Sequence, residues 1–193
     1  LRYKGGTELP AVRSRQFVLA ASLLELAEAM AVLSDNPAAN IALAKVGGPA
    51  ALTAWLRSIA DQTTRIDRNE PEMNNETPGD PRDTTTPAAM LATSRALVEG
   101  RILSPAARRT LFGWMQASKT ADTMIRAALP LGWQEANKTG AGSWRARNIV
   151  SVITPPGRKP IWVAAYLFAG KSELAERNRQ FVPLGRAIVE SVG

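Results

Sequence analysis

Two chemically versatile residue types are absent from this sequence: its 193 residues include no cysteine and no histidine. Without cysteine the chain has no disulfide framework and no thiolate metal site. Without histidine it has no imidazole base, which excludes a Ser-His-Asp triad and a histidine-ligated zinc within these residues. Any acid–base chemistry must therefore use carboxylates, lysine or hydroxyl groups, and the sequence implies no metal.

Long apolar runs are missing as well. No stretch reaches the ~18 uninterrupted apolar residues of a membrane-spanning helix, so we expect no membrane span. The apolar run at 17–33 follows Arg13 and Arg15, as in a signal peptide, but Glu25 and Glu28 interrupt it. We therefore interpret this run as an amphipathic helix and expect no signal peptide in the chain.

The composition that remains is that of a globular protein with positive charge. Hydrophobic residues make up 45% and charged residues 21% of the chain, a balance typical of folded domains. The 24 basic and 17 acidic residues give a net charge of +7. The basic residues are dispersed, without an aromatic-rich cluster or a nucleic-acid motif. We expect a solvated basic surface with a few anion-binding positions, and no nucleic-acid partner.

The period of the apolar residues changes along the chain. Spacing near 3.6 residues predicts helices at 17–33, 37–44, 49–60, 87–99, 105–116 and 121–128. Alternation and β-branched residues then predict strands at 133–138, 148–153 and 161–168, with a turn at 139–143. A last helix is predicted at 172–189, with Ser172 and Glu173 at its start.

Together these elements predict an α+β fold in which a mainly helical lobe at 1–130 precedes antiparallel strands and a terminal helix at 131–193. Within the helical lobe, the segment 65–87 is rich in acidic residues and proline and has only Ile66 and Met73 as large apolar side chains. Long connections of this kind in compact domains are usually functional. We expect 1–193 to form a single domain.

Three short motifs lie at the ends of these elements. Ser34-Asp35-Asn36 follows a helix, Glu70 and Asn74 lie in the acidic loop, and Lys138-Thr139-Gly140 ends a strand. In this order and these contexts they resemble the class A serine β-lactamases, which carry Ser-Asp-Asn and Lys-Thr-Gly motifs together with a Ser-x-x-Lys nucleophile. The resemblance extends from about Leu23 to the C-terminus.

The acidic loop is the most specific part of the resemblance. From Arg65 to Pro87 it is similar to the Ω-loop of that family, with Arg68 and Asp83 where the family has an ion pair that closes the loop. An arginine fork can hold a carboxylate through two hydrogen bonds, which ties together chain segments that are distant in sequence. The resemblance implies a β-lactamase/transpeptidase-like fold, hydrolysis of penicillin-type β-lactams, no cofactor, and a periplasmic or secreted location.

The resemblance also implies roles for individual residues. The implied catalytic residues are Glu70, which would activate the hydrolytic water, Ser34, which would relay a proton to the leaving nitrogen, and Lys138, which would supply positive potential. The implied substrate-binding residues are Asn36, Asn74, Thr139, Gly140, Ala141, whose N–H would be an oxyanion donor, and Arg147. A β-lactam would be the small-molecule partner.

One family motif is missing: no serine or threonine is followed three residues later by lysine. We therefore interpret the chain as an N-terminally incomplete domain that is inactive without the Ser-x-x-Lys segment. A complementing N-terminal polypeptide is one hypothesis for that segment. A non-catalytic fragment or binding module of the same fold is an alternative, and a penicillin-binding transpeptidase relative is another. The Glu70 loop argues against the transpeptidase, because such a loop adds deacylation by water.

Overall fold

The described residues of the helical part form five helices, four of which begin with a side-chain cap. The computed structural model describes residues 22–75, 77, 79–142, 146–168 and 172–192. The helices are α1 (Leu23–Leu33), α2 (Asn36–Lys45), α3 (Gly48–Ser58), α4 (Pro87–Val98) and α5 (Pro105–Ala117). Ser22 and Glu25 form a capping box at the start of α1, and the Asp35 side chain accepts the Ala38 N–H at the start of α2. Such caps satisfy backbone donors that a helix leaves unpaired, so these starts follow from local sequence. Residues 17–21 of the first predicted helix lie outside the described residues.

The acidic loop between α3 and α4 contains one short helical segment, a 3₁₀ turn at Glu72–Asn74. Thr86 then caps α4 by accepting the Ala89 N–H. A second 3₁₀ turn, Ile125–Ala128, occupies only half of the helix predicted at 121–128. The prediction of that helix is therefore wrong in type and in extent.

Three antiparallel strands form one sheet in the order β1–β2–β3: β1 (Gln134–Ala141), β2 (Ala146–Thr154) and β3 (Ile161–Phe168). Lys138 pairs with Val150, and Thr139 with Ile149. The predicted turn at 139–143 is wrong for its first three residues, because pairing with β2 extends β1 to Ala141. Cross-strand pairing of this kind overrides the turn preference of the glycine.

The C-terminal helix predicted as one element is two: α6 (Leu174–Arg179) and α7 (Val182–Val192). Pro183 has no N–H to donate to the Arg179 carbonyl, and its ring would clash with that carbonyl in a continuous helix. The break places Phe181 in the core, where its exposed fraction is 4%. Glu173, not Ser172, is the N-cap residue of α6.

Apolar side chains cover both faces of the sheet. On one face Ile149 and Ile153 pack with Phe181, Met124 and Ile125. On the other face three buried side chains form a cluster against α4 and α5: Met115, Ala136 and Val152. The fold is thus α+β, with helices on both sides of an antiparallel sheet. Among the described residues no helix combines the length and the apolar character that a bilayer crossing needs.

Gly185 in α7 marks the closest approach of that helix to the 3₁₀ turn at Ile125–Ala128. A Cβ at Gly185 would lie 2.8 Å from the Ile125 carbonyl oxygen and 2.9 Å from the Ala128 Cβ. We expect Gly185→Ala to lower the free energy of unfolding by about 1–3 kcal/mol, because this clash outweighs the helix propensity of alanine. The measurement is the urea midpoint with an unchanged m-value.

Gly113 in α5 gives a matched control, since a Cβ there would meet no atom within 4 Å. Gly113→Ala should stabilise the protein by about 0.5–1 kcal/mol through helix propensity and the unfolded state. Equal shifts of the midpoint for both variants would show that the contact at Gly185 is not tight.

Candidate active site

A serine and a lysine that are 104 residues apart in sequence meet at the centre of the site. Lys138 Nζ on β1 donates hydrogen bonds to Ser34 Oγ at 2.5 Å and to the Thr139 carbonyl at 2.8 Å. Ser34 is the C-terminal cap of α1, with φ 56° and ψ 46°. This left-handed conformation turns the chain sharply into α2, whose first residue is Asn36. The local turn therefore directs the Ser34 hydroxyl toward the sheet.

The charge state of Lys138 is set by its surroundings. Burial, with a further contribution from the Arg147 guanidinium, lowers the pKa of Lys138 to about 8, and the Glu70 carboxylate opposes this shift. Burial lowers the pKa of an amine because it penalises the charged form. The pKa of Lys138 therefore lies well below that of an ordinary lysine.

Glu70 is held by its backbone and by its side chain. The Asn40 side chain on α2 donates to the Glu70 carbonyl and accepts the Glu70 N–H, each at 2.8 Å. Asn74 Nδ2 donates to Glu70 Oε2. Burial raises the pKa of Glu70, while the Asn74 hydrogen bond and the Lys138 charge lower it. The result is a fixed, partly buried carboxylate with a raised pKa beside a cation.

The two ends of the acidic loop meet at Asp67, Arg68 and Asp83, which form its neck. The Asp83 carboxylate closes this neck by accepting several hydrogen bonds. Asp83 Oδ2 accepts from Arg68 Nε at 2.6 Å, and Asp83 Oδ1 accepts the backbone N–H of Asp67 at 2.7 Å and that of Arg68 at 3.0 Å. In return Asp67 Oδ2 accepts the Asp83 N–H at 2.8 Å. The Asp83 side chain is only 2% exposed. The buried Asp83 carboxylate therefore ties the two chain segments of the neck together.

Arg147 on β2 is buried and pairs with oxygen atoms of the protein. Its guanidinium donates to the Thr120 carbonyl at 2.6 Å, the Gly140 carbonyl at 3.2 Å and Asn178 Oδ1 at 2.7 Å. Burial, with the nearby Arg177, lowers the pKa of Arg147 to about 10. The side chain supplies positive charge from beneath the end of β1 rather than from an exposed strand position.

The end of β1 completes the site. Thr139 Oγ1 donates to Thr120 Oγ1 at 2.7 Å. Gly140 and Ala141 are exposed, and a Cβ at Gly140 would meet only Asn148, at 4.0 Å. The described neighbours therefore leave space beside this strand end.

The structure thus brings Ser34, Lys138 and Glu70 to one place, with Asn74 against Glu70 and Arg147 beneath β1. Sequence reasoning missed Asn40, Thr120 and Asn178, which position these groups. Asn40 lies four residues after Asn36 on the same face of α2, a spacing that could have indicated it. Thr120 and Asn178 carry no such signal. The described residues include no group of three or more acidic side chains that could hold a metal ion.

Comparison with known proteins identifies the family of this chain. The model of the beta-lactamase enzyme family matches residues 8–192, and the chain belongs to that family. An ancestral class A β-lactamase is 51% identical, with a TM-score of 0.86 over 89% of this chain and 66% of its own. The last common ancestor of Gram-negative bacteria in this class is 49% identical, with a TM-score of 0.85 and the same two coverages.

A more distant structure shares the same fold. It is a mutant of the chromosome-encoded β-lactamase of Vibrio parahaemolyticus, 40% identical, with a TM-score of 0.85 over 89% of this chain and 66% of its own. The chain thus spans just under two thirds of the length of these relatives.

Proposed function

We propose that this chain is the part of a class A serine β-lactamase that binds the β-lactam and activates the deacylating water. The observation that supports this most strongly is the convergence on Lys138, which is hydrogen-bonded to Ser34 and lies within the electrostatic field of Glu70. A hydroxyl, an amine of lowered pKa and a carboxylate of raised pKa form a set suited to transferring protons in both directions.

Glu70 is the proposed general base for the second half of the reaction. A serine ester formed from the β-lactam is hydrolysed when a carboxylate removes a proton from an attacking water. Asn40 fixes the Glu70 backbone, and Asn74 occupies one carboxylate oxygen. The other oxygen is then the acceptor for the water, and the Asn74 amide helps to hold that water in place.

Ser34 and Lys138 are the proposed proton relay for the first half of the reaction. Opening the β-lactam ring leaves a nitrogen that must be protonated. The Ser34 hydroxyl can donate that proton and recover one from Lys138, to which it is hydrogen-bonded at 2.5 Å. Asn36, two residues after Ser34, is the proposed hydrogen-bond partner of the substrate's amide side chain.

The end of β1 is the proposed binding site for the substrate carboxylate and oxyanion. Lys138 and the buried Arg147 supply positive potential, and the Thr139 hydroxyl can donate a hydrogen bond to the carboxylate when it turns away from Thr120 Oγ1. Gly140 allows the substrate to approach the strand edge closely, and the Ala141 N–H is the oxyanion donor. Because the substrate is an antibiotic that acts outside the cytoplasm, we propose a periplasmic or secreted location.

The nucleophile of this reaction lies outside the 193 residues, which include no Ser-x-x-Lys sequence. The test is a fusion in which the Ser-x-x-Lys-bearing N-terminal third of the 51% identical ancestral enzyme precedes this chain. We expect the fusion to hydrolyse a chromogenic cephalosporin, whereas the 193-residue chain alone and a fusion with the nucleophilic serine changed to alanine should not. A folded fusion with no more activity than its alanine control would contradict the proposal.

The acid limb of the pH profile offers a separate check on Glu70. A base must be ionised, and the raised pKa of Glu70 means that its proton returns at a higher pH than the ~4.3 of an ordinary glutamate. As the pH falls, deacylation by the fusion should therefore begin to decline at a pH at which an ordinary glutamate would still be ionised. Asn74→Ala removes a hydrogen bond that lowers this pKa, so the decline should move to still higher pH.

The measurement is the single-turnover deacylation rate constant across the acidic range. Asn75→Ala is the matched control, because Asn75 is exposed and accepts a hydrogen bond from Arg68 only through its backbone carbonyl. An acid limb that is the same in Asn74→Ala as in the unchanged fusion would assign the limb to a group other than Glu70.

A further inference from the structure

The pair formed by Ser34 and Lys138 has features of a catalytic dyad in its own right. Lys138 Nζ contacts two oxygens, Ser34 Oγ and the Thr139 carbonyl, and forms no ion pair among the described residues. The carbonyl can only accept a hydrogen bond, so it fixes the direction of one N–H of the amine. In the neutral amine the lone pair is then free to face the Ser34 hydroxyl, which becomes the donor.

The groups that face Lys138 favour a neutral amine at moderately alkaline pH. Arg147 on β2 and burial both disfavour the ammonium form, and Glu70 in the acidic loop favours it. With a pKa of about 8, a large fraction of Lys138 is neutral slightly above neutral pH. A lysine kept neutral in this way can accept the proton of a nucleophilic serine.

The backbone at Ser34 supports the same role. A serine with φ 56° is an uncommon non-glycine residue in the left-handed region, and such positions concentrate at functional sites. Ser34 also lies two residues before the first residue of α2, a helix of 10 residues. The partial positive charge at that helix start favours a developing negative charge on Ser34 Oγ or on an adjacent carbonyl oxygen.

We propose that Ser34 is a second nucleophile, which activated aryl esters acylate in this chain without any Ser-x-x-Lys segment. In this step Ser34 Oγ forms a bond to the acyl carbon while its proton passes to Lys138 Nζ. The bond from the acyl carbon to the aryloxide oxygen breaks, and its electron pair leaves with the aryloxide. Lys138 returns to the neutral form by releasing the proton to water. The inference uses residues of the proposed β-lactamase site but does not depend on β-lactam hydrolysis.

The test is stoichiometric labelling of the 193-residue chain with 4-nitrophenyl acetate. We expect one acetyl group on Ser34, located by peptide mapping and removed by hydroxylamine, as an ester is and a lysine amide is not. The labelling rate should rise with pH through the range in which Lys138 loses its proton. If the unchanged chain were labelled only on lysines and the N-terminus, with Ser34 unmodified, that result alone would overturn the proposal.

Two variants separate the nucleophile from its base. Ser34→Ala should abolish the hydroxylamine-sensitive label, whereas Ser58→Ala, at an exposed serine hydrogen-bonded to the Trp55 carbonyl, should retain it. Lys138→Met should slow labelling of Ser34 about 10²-fold and remove its pH dependence, as expected for loss of a general base. An unchanged rate in Lys138→Met would overturn the dyad, and it would do so even where Ser34→Ala failed to fold.

The outcome is independent of the proposed function. Labelling of Ser34 in the chain, together with an inactive fusion, would support the dyad and contradict the β-lactamase proposal. An active fusion with no label on Ser34 in the chain would give the reverse result.

Discussion

Replacing Glu70 by alanine in the fusion should convert a hydrolase into a protein that is acylated once and then stalls. General-base catalysis contributes about 10²–10⁴-fold, so deacylation should slow by that factor while acylation continues. The variant loses both the base and its fixed position, because Asn40 and Asn74 hold the Glu70 carboxylate in one orientation. A burst of one product per protein and a covalent adduct by intact mass would record the stall.

Glu72 provides the matched control for this experiment. It is an exposed glutamate two residues after Glu70, at the start of the 3₁₀ turn Glu72–Asn74. Glu72→Ala should leave the steady-state rate and the absence of an adduct unchanged. Equal losses in both variants would indicate a general electrostatic effect of the acidic loop, and an unaffected Glu70→Ala would remove Glu70 from the mechanism.

Local sequence was sufficient for helices α2 to α5 because their boundaries depend on neighbouring residues. The caps Asp35, Thr86 and Ser104 each accept an N–H three residues ahead, and proline follows each of them within the first turn. The errors arise where distant contacts decide. Thr139–Ala141 became strand because β2 offered partners from Ile149 to Arg147. The break at Pro183 carried a local signal, which the regular apolar spacing of the segment obscured.

Within the candidate site, too, local patterns could be predicted from the sequence and contacts between distant residues could not. Motifs such as Ser34-Asp35-Asn36 and Lys138-Thr139-Gly140 are contiguous, so their resemblance to family motifs could be recognised in the sequence. The partner of Arg147, Asn178, is 31 residues away on α6. The resemblance suggested that Arg147 reaches toward the substrate. In the structure its guanidinium donates hydrogen bonds to three oxygens of the protein itself. Partnerships of this kind depend on tertiary structure and leave no pattern in one sequence.

The acidic loop links stability to the position of Glu70. Its neck is tied by Asp83, whose carboxylate is almost fully buried, while Glu70 lies within the loop and is anchored to α2 through Asn40. Loss of the neck would leave Glu70 on a long, flexible connection. Because the orientation of a general base controls its efficiency, the structural and catalytic consequences should appear together.

Arg68→Ala should therefore lower the free energy of unfolding by about 3 kcal/mol, since it strands the buried Asp83 carboxylate without its charged partner. Arg82→Ala is the matched control, because it removes an arginine side chain from the same loop. The Arg82 side chain is 52% exposed. Its ion-pair partner, Asp80, still accepts the backbone N–H of residue 82 in the variant. Exposed ion pairs contribute little, so that variant should unfold close to the unchanged chain. Urea unfolding of the 193-residue variants gives the comparison, and the deacylation rate of the fusion should fall for Arg68→Ala alone. Equal urea midpoints for the two variants would contradict the assignment of Asp83 as the buried tie of the loop.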